Sequence, residues 1–249
     1  MDKISTANDR ASNVSILKSR VALVTGGTRG IGLAIAERLA RLGASIAICG
    51  RDPASLARAK ARLTEAGVPV YAQIADVSRS EEVTELAAKS SAALGEISVL
   101  VNNAGIGLFG PAHENSGAEL DRILSINLKS VFLMSKAVIP SMIRQGTGDI
   151  VNISSLAGKN TFAGGGIYCA SKWGVMGLSG CMAEDLRENG IRVSVICPGS
   201  VATEFSTRGP KDQSKSLRPE DVAHAVETIV TQAPGSFVSE IQLRPLRKP

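Results

Sequence analysis

From Arg20 onward, short runs rich in valine and isoleucine alternate with longer stretches of helical periodicity, and this alternation constrains the fold more than any other feature. "RVALVT" leads into a helix over 30–42, "SIAIC" into 53–66, "PVYAQI" into 79–94 and "SVLVN" into one over roughly 117–143. "DIVNIS" precedes a helix near 167–189, "IRVSVI" one near 219–232, and "FVSEIQL" closes the series. Strands that read as continuous apolar runs are buried on both faces. With an amphipathic helix after each, they indicate a parallel sheet covered on both sides. The seven strands and six helices predict one doubly wound α/β domain over 20–249, with a seven-stranded parallel sheet and residues 1–19 as a flexible arm.

A hydrophobic content of 44% is ample for such a core. The net charge of +5 is scattered, and aromatic residues make up only 3% of the chain, so no basic run with interleaved aromatics suggests a nucleic-acid partner. Cys49, Cys169, Cys181 and Cys197 lie far apart, and the only histidines are His113 and His224. That spacing supports neither a metal site nor a disulfide framework, and the cysteines read as small buried hydrophobes. Residues 1–19 lack the apolar run of a secretory signal, and no segment reads as ~20 apolar residues in a row. A cytoplasmic protein without a membrane partner is expected. The one long polar stretch, 200–218, lies beyond a strand's carboxyl end, where a substrate lid is expected.

"VALVTGGTRGIGLAIAERLA" sets Gly26, Gly30 and Gly32 between the first strand and the first helix. Glycines there permit a tight turn, close backbone approach to a phosphate and helix–strand packing. The helix N-terminus adds free N–H groups and a positive dipole end. This is dinucleotide-binding, Rossmann-type chemistry. The second strand ends "ICGRD", with Gly50 where folds that prefer NAD carry an acidic residue for the ribose 2′-hydroxyl, and Arg51 follows it. Arg29 can reach the same region. Two planar guanidinium forks suit a 2′-phosphate, so NADP(H) is the expected cofactor. The alternative is two solvated arginines, with Asp52 as a displaced ribose ligand.

One of only two tyrosines, Tyr168, precedes Lys172 by four residues in "YCASK". On a helix that spacing puts both on one face. An adjacent ammonium is expected to lower a phenol's pKa, making Tyr168 a usable acid and base.

In combination, "TGGTRGIG" at 25–32, "ADV" at 75–77, "NNAG" at 102–105, "SINL" at 125–128, "VNISS" at 151–155, "YCASK" at 168–172 and "PGSVAT" at 198–203 resemble the short-chain dehydrogenase/reductase family over about residues 20–245. The resemblance implies a cofactor loop of Gly26, Thr28, Arg29, Gly30, Ile31 and Gly32, with Arg51 beside it. It implies adenine contacts from Asp76 and Val77, a cleft lined by Asn103, Ala104 and Gly105, and a carboxamide site from Pro198, Gly199, Val201 and Thr203. Tyr168 and Lys172 would meet the nicotinamide ribose. Ser155, thirteen residues before the tyrosine, matches the family's catalytic serine. Ser154 is its rival, and because strand neighbours face opposite sides only one of the two can point at the cleft. Asn127 matches the position that in the family holds a water next to the lysine. With the set Asn127, Ser155, Tyr168 and Lys172 whole, catalysis is expected in preference to a cofactor-sensing binding role.

The resemblance is to 3-oxoacyl-[acyl-carrier-protein] reductases, with a broader carbonyl reductase as the other reading and a small-molecule carbonyl or alcohol, an acyl thioester among the candidates, as substrate. The short loop after Thr203 and the ending "SEIQLRPLRKP" depart from those reductases on the substrate side and at the subunit contacts. The family implies a homotetramer, a dimer being the alternative. Trp173, Val175, Met176, Leu178 and Met182 give one helix more apolar surface than a single sheet face needs.

Overall fold

A computed structural model describes residues 16–205 and 213–247, so most of the expected arm and part of the expected lid lie outside the described residues. Seven parallel strands form one sheet: β1 Val21–Thr25, β2 Ser45–Gly50, β3 Val70–Ile74, β4 Val99–Asn102, β5 Gly148–Ile153, β6 Ile191–Pro198 and β7 Glu240–Leu243. Their order across the sheet is β3-β2-β1-β4-β5-β6-β7. Val21 pairs with Ser45 on one side of β1 and Ala22 with Val99 on the other, so the strand order reverses direction between β1 and β4. In an open parallel sheet the crevice at that reversal, beyond the carboxyl ends of the strands, is where ligands bind.

The helices are α1 Gly30–Arg41, α2 Pro53–Thr64, α3 Ser80–Leu94, α4 Gly117–Leu124, α5 Ser130–Gln145, α6 Gly166–Leu186 and α7 Pro219–Val230. Period-two alternation in the strands sends Ala22 and Val24 to one face, where Ile35 and Leu39 of α1 and Val226 and Ile229 of α7 cover them. Leu23, Leu100 and Ile150 face the other way, under Leu86 of α3, Met134 of α5 and Val175 of α6. Local signals start the helices: Asp52 caps α2 ahead of Pro53, and Ser116 and Glu119 close a reciprocal capping box on α4.

The structure departs from the sequence reading in several places. The single helix expected over 117–143 is interrupted by a π-turn, Ser125–Lys129. The last strand starts only at Glu240, because the Val238 N–H is taken by the Gln232 side chain at 2.7 Å and not by the ladder. Leu17, assigned to the arm, is buried against α1 and donates its N–H to the Leu42 carbonyl at 2.9 Å, so the packed body begins before Arg20. Cys49, Cys169 and Cys197 are buried as expected, but Cys181 is exposed. Contrary to expectation, the helical run Gly117–Gln145 is long and apolar enough to cross a bilayer, with a mean hydropathy of 1.4. Its Ile123, Met134, Val138 and Met142 are buried in the core, which accounts for that apolar content as a packed helix face.

At the amino ends of the strands, Asp149 is almost wholly buried between Arg20 and Arg192, each 2.7 Å away. Arg20 also donates to the Ser98 carbonyl, and Arg192 to the Ala233 and Ser236 carbonyls. These bonds satisfy the buried charges and tie β1, β4, β5 and β6 together far from the cleft.

Candidate active site

The loops leaving the carboxyl ends of the strands enclose a cleft of about 1080 Å³. Every cofactor residue expected from the sequence lines it, as do Ser155, Tyr168 and Lys172. Asn127 does not.

At one end the glycine loop turns with Gly26 at φ +64° and Gly30 at φ +53°. A Cβ on Gly32 would stand 2.3 Å from the Gly26 carbonyl oxygen, so no other residue lets α1 start so close to the turn. Asn103 locks the loop from across the sheet reversal. Its carboxamide donates to the Thr25 and Gly26 carbonyls at 3.0 and 3.3 Å, while the Thr25 hydroxyl accepts from the Asn103 and Ala104 N–H groups. Asn102 points the other way, into a buried chain running through Asn152 to Ser179. The loop thus presents a rigid backbone cradle at a helix N-terminus, which fits a dinucleotide pyrophosphate.

Beside the cradle, a Cβ at Gly50 would meet Thr28 Cγ2 at 2.5 Å, so the position where an acidic ribose ligand is usual has no room for a side chain. Asp52, the alternative ribose ligand, spends one carboxylate oxygen on the Ser55 N–H at 2.8 Å as the cap of α2. Burial raises the Asp76 pKa, but hydrogen bonds from Ser78 and the Arg51 guanidinium outweigh this and hold it below its usual value. Arg29 pairs with Glu204 at 2.8 Å, joining the glycine loop to the segment beyond β6. The ends of the expected lid are drawn together there: Ala202 donates to the Leu217 carbonyl at 2.8 Å, and Leu217 to the Ser200 carbonyl at 2.9 Å.

At the other end, α6 carries Tyr168 and Lys172 on one buried face. Ser155 lies two residues beyond the end of β5, where its hydroxyl accepts from the Ala157 N–H as the cap of a short 3-10 turn, and it lines the cleft with Tyr168. Ser154 donates to the Lys172 carbonyl at 3.2 Å. Both serines line the cleft, but the Ser154 hydroxyl is committed to the Lys172 carbonyl, which leaves Ser155 as the better candidate.

One expectation needs correction. The Tyr168 pKa is not lowered: burial pushes it up to about 12, with the Ser155 hydroxyl pulling weakly the other way. Lys172 lies 6.0 Å from the ring centroid and donates to the Ile153 carbonyl at 2.9 Å, while burial pushes its own pKa down to about 8. The desolvation that disfavours a phenolate also disfavours the ammonium that was to stabilise it. Asn127, in the π-turn and 1% exposed, accepts from the Ile106 N–H and donates to the Ile106 carbonyl and the Ser171 hydroxyl, all within 2.8–3.0 Å. Both of its amide hydrogens are committed to the protein, so the side chain pins the loop after β4 to α6.

The sequence reading missed Phe109 and Phe205, which flank Tyr168, and Phe162, which packs on Phe109, and it missed Glu204 and Arg244 on the cleft wall. The available signal was the scarcity of phenylalanine, combined with its placement in loops after strands.

Residues 20–214 match the family described as short chain dehydrogenase. The 2-(S)-hydroxypropyl-CoM dehydrogenase 3 of Xanthobacter autotrophicus is 35% identical over 226 residues, covering 84% of this chain and 89% of that protein. A crystal structure of a metagenomic short-chain oxidoreductase in complex with NADP is 41% identical, with a TM-score of 0.83 over 94% of this chain and 100% of its own. The alcohol dehydrogenase of the archaeon Thermococcus sibiricus, complexed with 5-hydroxy-NADP, is 32% identical, with a TM-score of 0.85 over 92% of this chain and 98% of its own. With its sheet order, glycine cradle and family match in agreement, this chain belongs to the short-chain dehydrogenase/reductase family and is an NAD(P)-dependent oxidoreductase acting on CH–OH groups.

Proposed function

We propose that the protein is an NADP(H)-dependent reductase that converts a ketone into a secondary alcohol, with Ser155, Tyr168 and Lys172 as its catalytic residues. The observation that carries this reading is that Ser155, Tyr168 and Lys172 line one end of a cleft whose other end is a dinucleotide cradle. Arg51, the closed position at Gly50 and the capping role of Asp52 support NADP(H) over NAD(H), as does the likeness to two structures bound to NADP or a derivative of it.

Pro198, Gly199, Val201, Thr203 and Tyr168 line the part of the cleft that would hold a nicotinamide, which would supply the hydride when bound. The Ser155 hydroxyl donates to the substrate carbonyl oxygen, stabilising the charge that develops there. Tyr168 Oη gives its proton to the same oxygen. An alkoxide is a stronger base than a phenolate, so the transfer runs downhill even from a phenol held at about 12. Lys172 orients the ribose and, when protonated, favours the phenolate that remains. Asn127 acts as a positioning residue by holding α6 against the Ile106 loop. The substrate classes in play are 3-oxoacyl thioesters and free ketones.

The assembly proposed is a homotetramer, with a dimer as the smaller alternative. Val175 and Met182 turn out to be core, but Phe132 and Trp173 are 47% and 50% exposed beside a groove that contains Leu128 and Leu178. Cofactor consumption assayed with NADPH and NADH against thioesters, cyclic ketones, diketones and aldehydes tests the reading. Turnover with NADPH is expected, and consumption of neither cofactor with any carbonyl overturns it.

A further inference from the structure

Resting on the reductase reading above, we propose that the substrate is a compact apolar ketone with a flat, aryl-type substituent, held in a box of phenylalanine rings around Tyr168. The chain has five phenylalanines in 249 residues, and three of them stand at this one place. Phe109 lies 5.1 Å from the Tyr168 ring, centroid to centroid, Phe205 lies 6.2 Å from it, and Phe162 lies 6.2 Å from Phe109. They arrive from three separate segments: the loop after β4, the approach to α6, and the segment after β6. Only the tertiary fold brings them together.

The backbone makes room for the rings. A Cβ on Gly107 would come within 2.7 Å of Phe109 Cε2 and 3.1 Å of Phe205 Cε1, and one on Gly165 would come within 2.7 Å of the Phe162 ring. These rings close down on glycine, so their position is specified by the sequence at five places and not three. Phe162 and Phe205 are each 42% exposed at the cleft, an apolar surface of the kind that marks a binding site.

The geometry sets the chemistry of what fits. A carbonyl oxygen at the Tyr168 and Ser155 hydroxyls puts its carbon substituents among the rings. All interplanar angles are tilted, between 43° and 58°, an arrangement that offers both ring edges and ring faces to a flat guest. An acyl thioester would have to lay the amides of a pantetheine arm against those same rings, which cannot pair with them, and an unpaired amide loses affinity on desolvation.

The test measures kcat/KM at saturating NADPH for three substrates: a phenyl diketone, a straight-chain methyl ketone of equal carbon count, and acetoacetyl-coenzyme A. The phenyl diketone is expected to lead each of the others by on the order of 10-fold, the scale of ring–ring contacts. Phe109→Leu and Phe205→Leu should each remove most of that lead, chiefly through KM, so that the phenyl diketone loses more than the straight-chain ketone, while NADPH affinity, read by fluorescence, is kept. A thioester or straight-chain ketone that equals the phenyl diketone overturns the proposal while leaving the reductase reading in place. So do leucine variants that slow all three substrates alike, because the rings would then only support Tyr168. Turnover of none of the three, with NADPH still bound, overturns this proposal, and the reductase reading falls with it only when the wider carbonyl panel is also inert.

Discussion

Lys172 sends its ammonium 2.9 Å to the carbonyl oxygen of Ile153, at the end of β5, and not to the hydroxyl of Tyr168 one turn earlier on its own helix. The bond crosses from α6 to the sheet, so it holds the helix at a fixed distance from the cleft floor. Its cost is burial, which takes the Lys172 pKa from an ordinary 10.5 down to about 8. Between those two values the unfolded chain binds more protons than the folded one, so stability should rise with pH over that window, and the penalty for the buried charge should be complete below about pH 8. NADPH binding has the opposite dependence, because the charged lysine is the form that favours the cofactor. Its Kd should therefore weaken as pH rises through about 8. Lys172→Met should flatten both profiles, as followed by thermal melts and by fluorescence titration across that range.

Ser154 and Ser155 make an internal control. Ser155→Ala should lower kcat by on the order of 10² to 10³, as loss of a single oxyanion donor does, with little change in stability. Ser154→Ala removes a buried hydroxyl that donates to the Lys172 carbonyl, so it should cost about 1 kcal/mol of stability and leave most of the activity. Parallel kinetics and denaturant titrations separate the two. The reverse pattern would mean that the segment after β5 runs one residue out of register.

Cofactor choice rests on Arg51. Arg51→Asp introduces a charge that repels a 2′-phosphate and accepts from a ribose hydroxyl. The ratio of kcat/KM for NADPH over NADH should fall by on the order of 10 to 100-fold. A substitution at Gly50 should fail for another reason: any side chain there collides with Thr28, and the loss should appear with both cofactors.

Asp149 is predicted to be a stability residue. Asp149→Ala leaves the Arg20 and Arg192 guanidiniums facing each other across a site that was 1% exposed, at a cost of roughly 3–5 kcal/mol. Urea titration should show that loss, while the folded fraction keeps its affinity for NADPH, because the trio sits at the end of the sheet away from the cleft.

The seven parallel strands were legible, most clearly where burial on both faces leaves continuous apolar runs, as in "VALVT" and "IRVSVI". The glycine cradle and the Tyr168–Lys172 pair were legible because local spacing determines them. What was not legible depends on tertiary surroundings. Burial decides the direction of the Tyr168 shift, and burial is a property of the loops that close over it. The break at Asn127 needs an inserted π-turn, for which helical periodicity gives no warning. The phenylalanines of the cluster that includes Tyr168 lie at 109, 162 and 205, too far apart for any local pattern to relate them.

The most direct test of the account is single-turnover reduction of a ketone by Tyr168→Phe with NADPH bound. The substitution removes one hydroxyl and keeps the ring that packs against Phe109 and Phe205. The account predicts an NADPH Kd close to that of the unaltered enzyme and a hydride-transfer rate lower by on the order of 10² to 10⁴, the range of a lost general acid. A variant that binds NADPH normally and reduces the ketone at a comparable rate would contradict the assignment of Tyr168 as the proton donor.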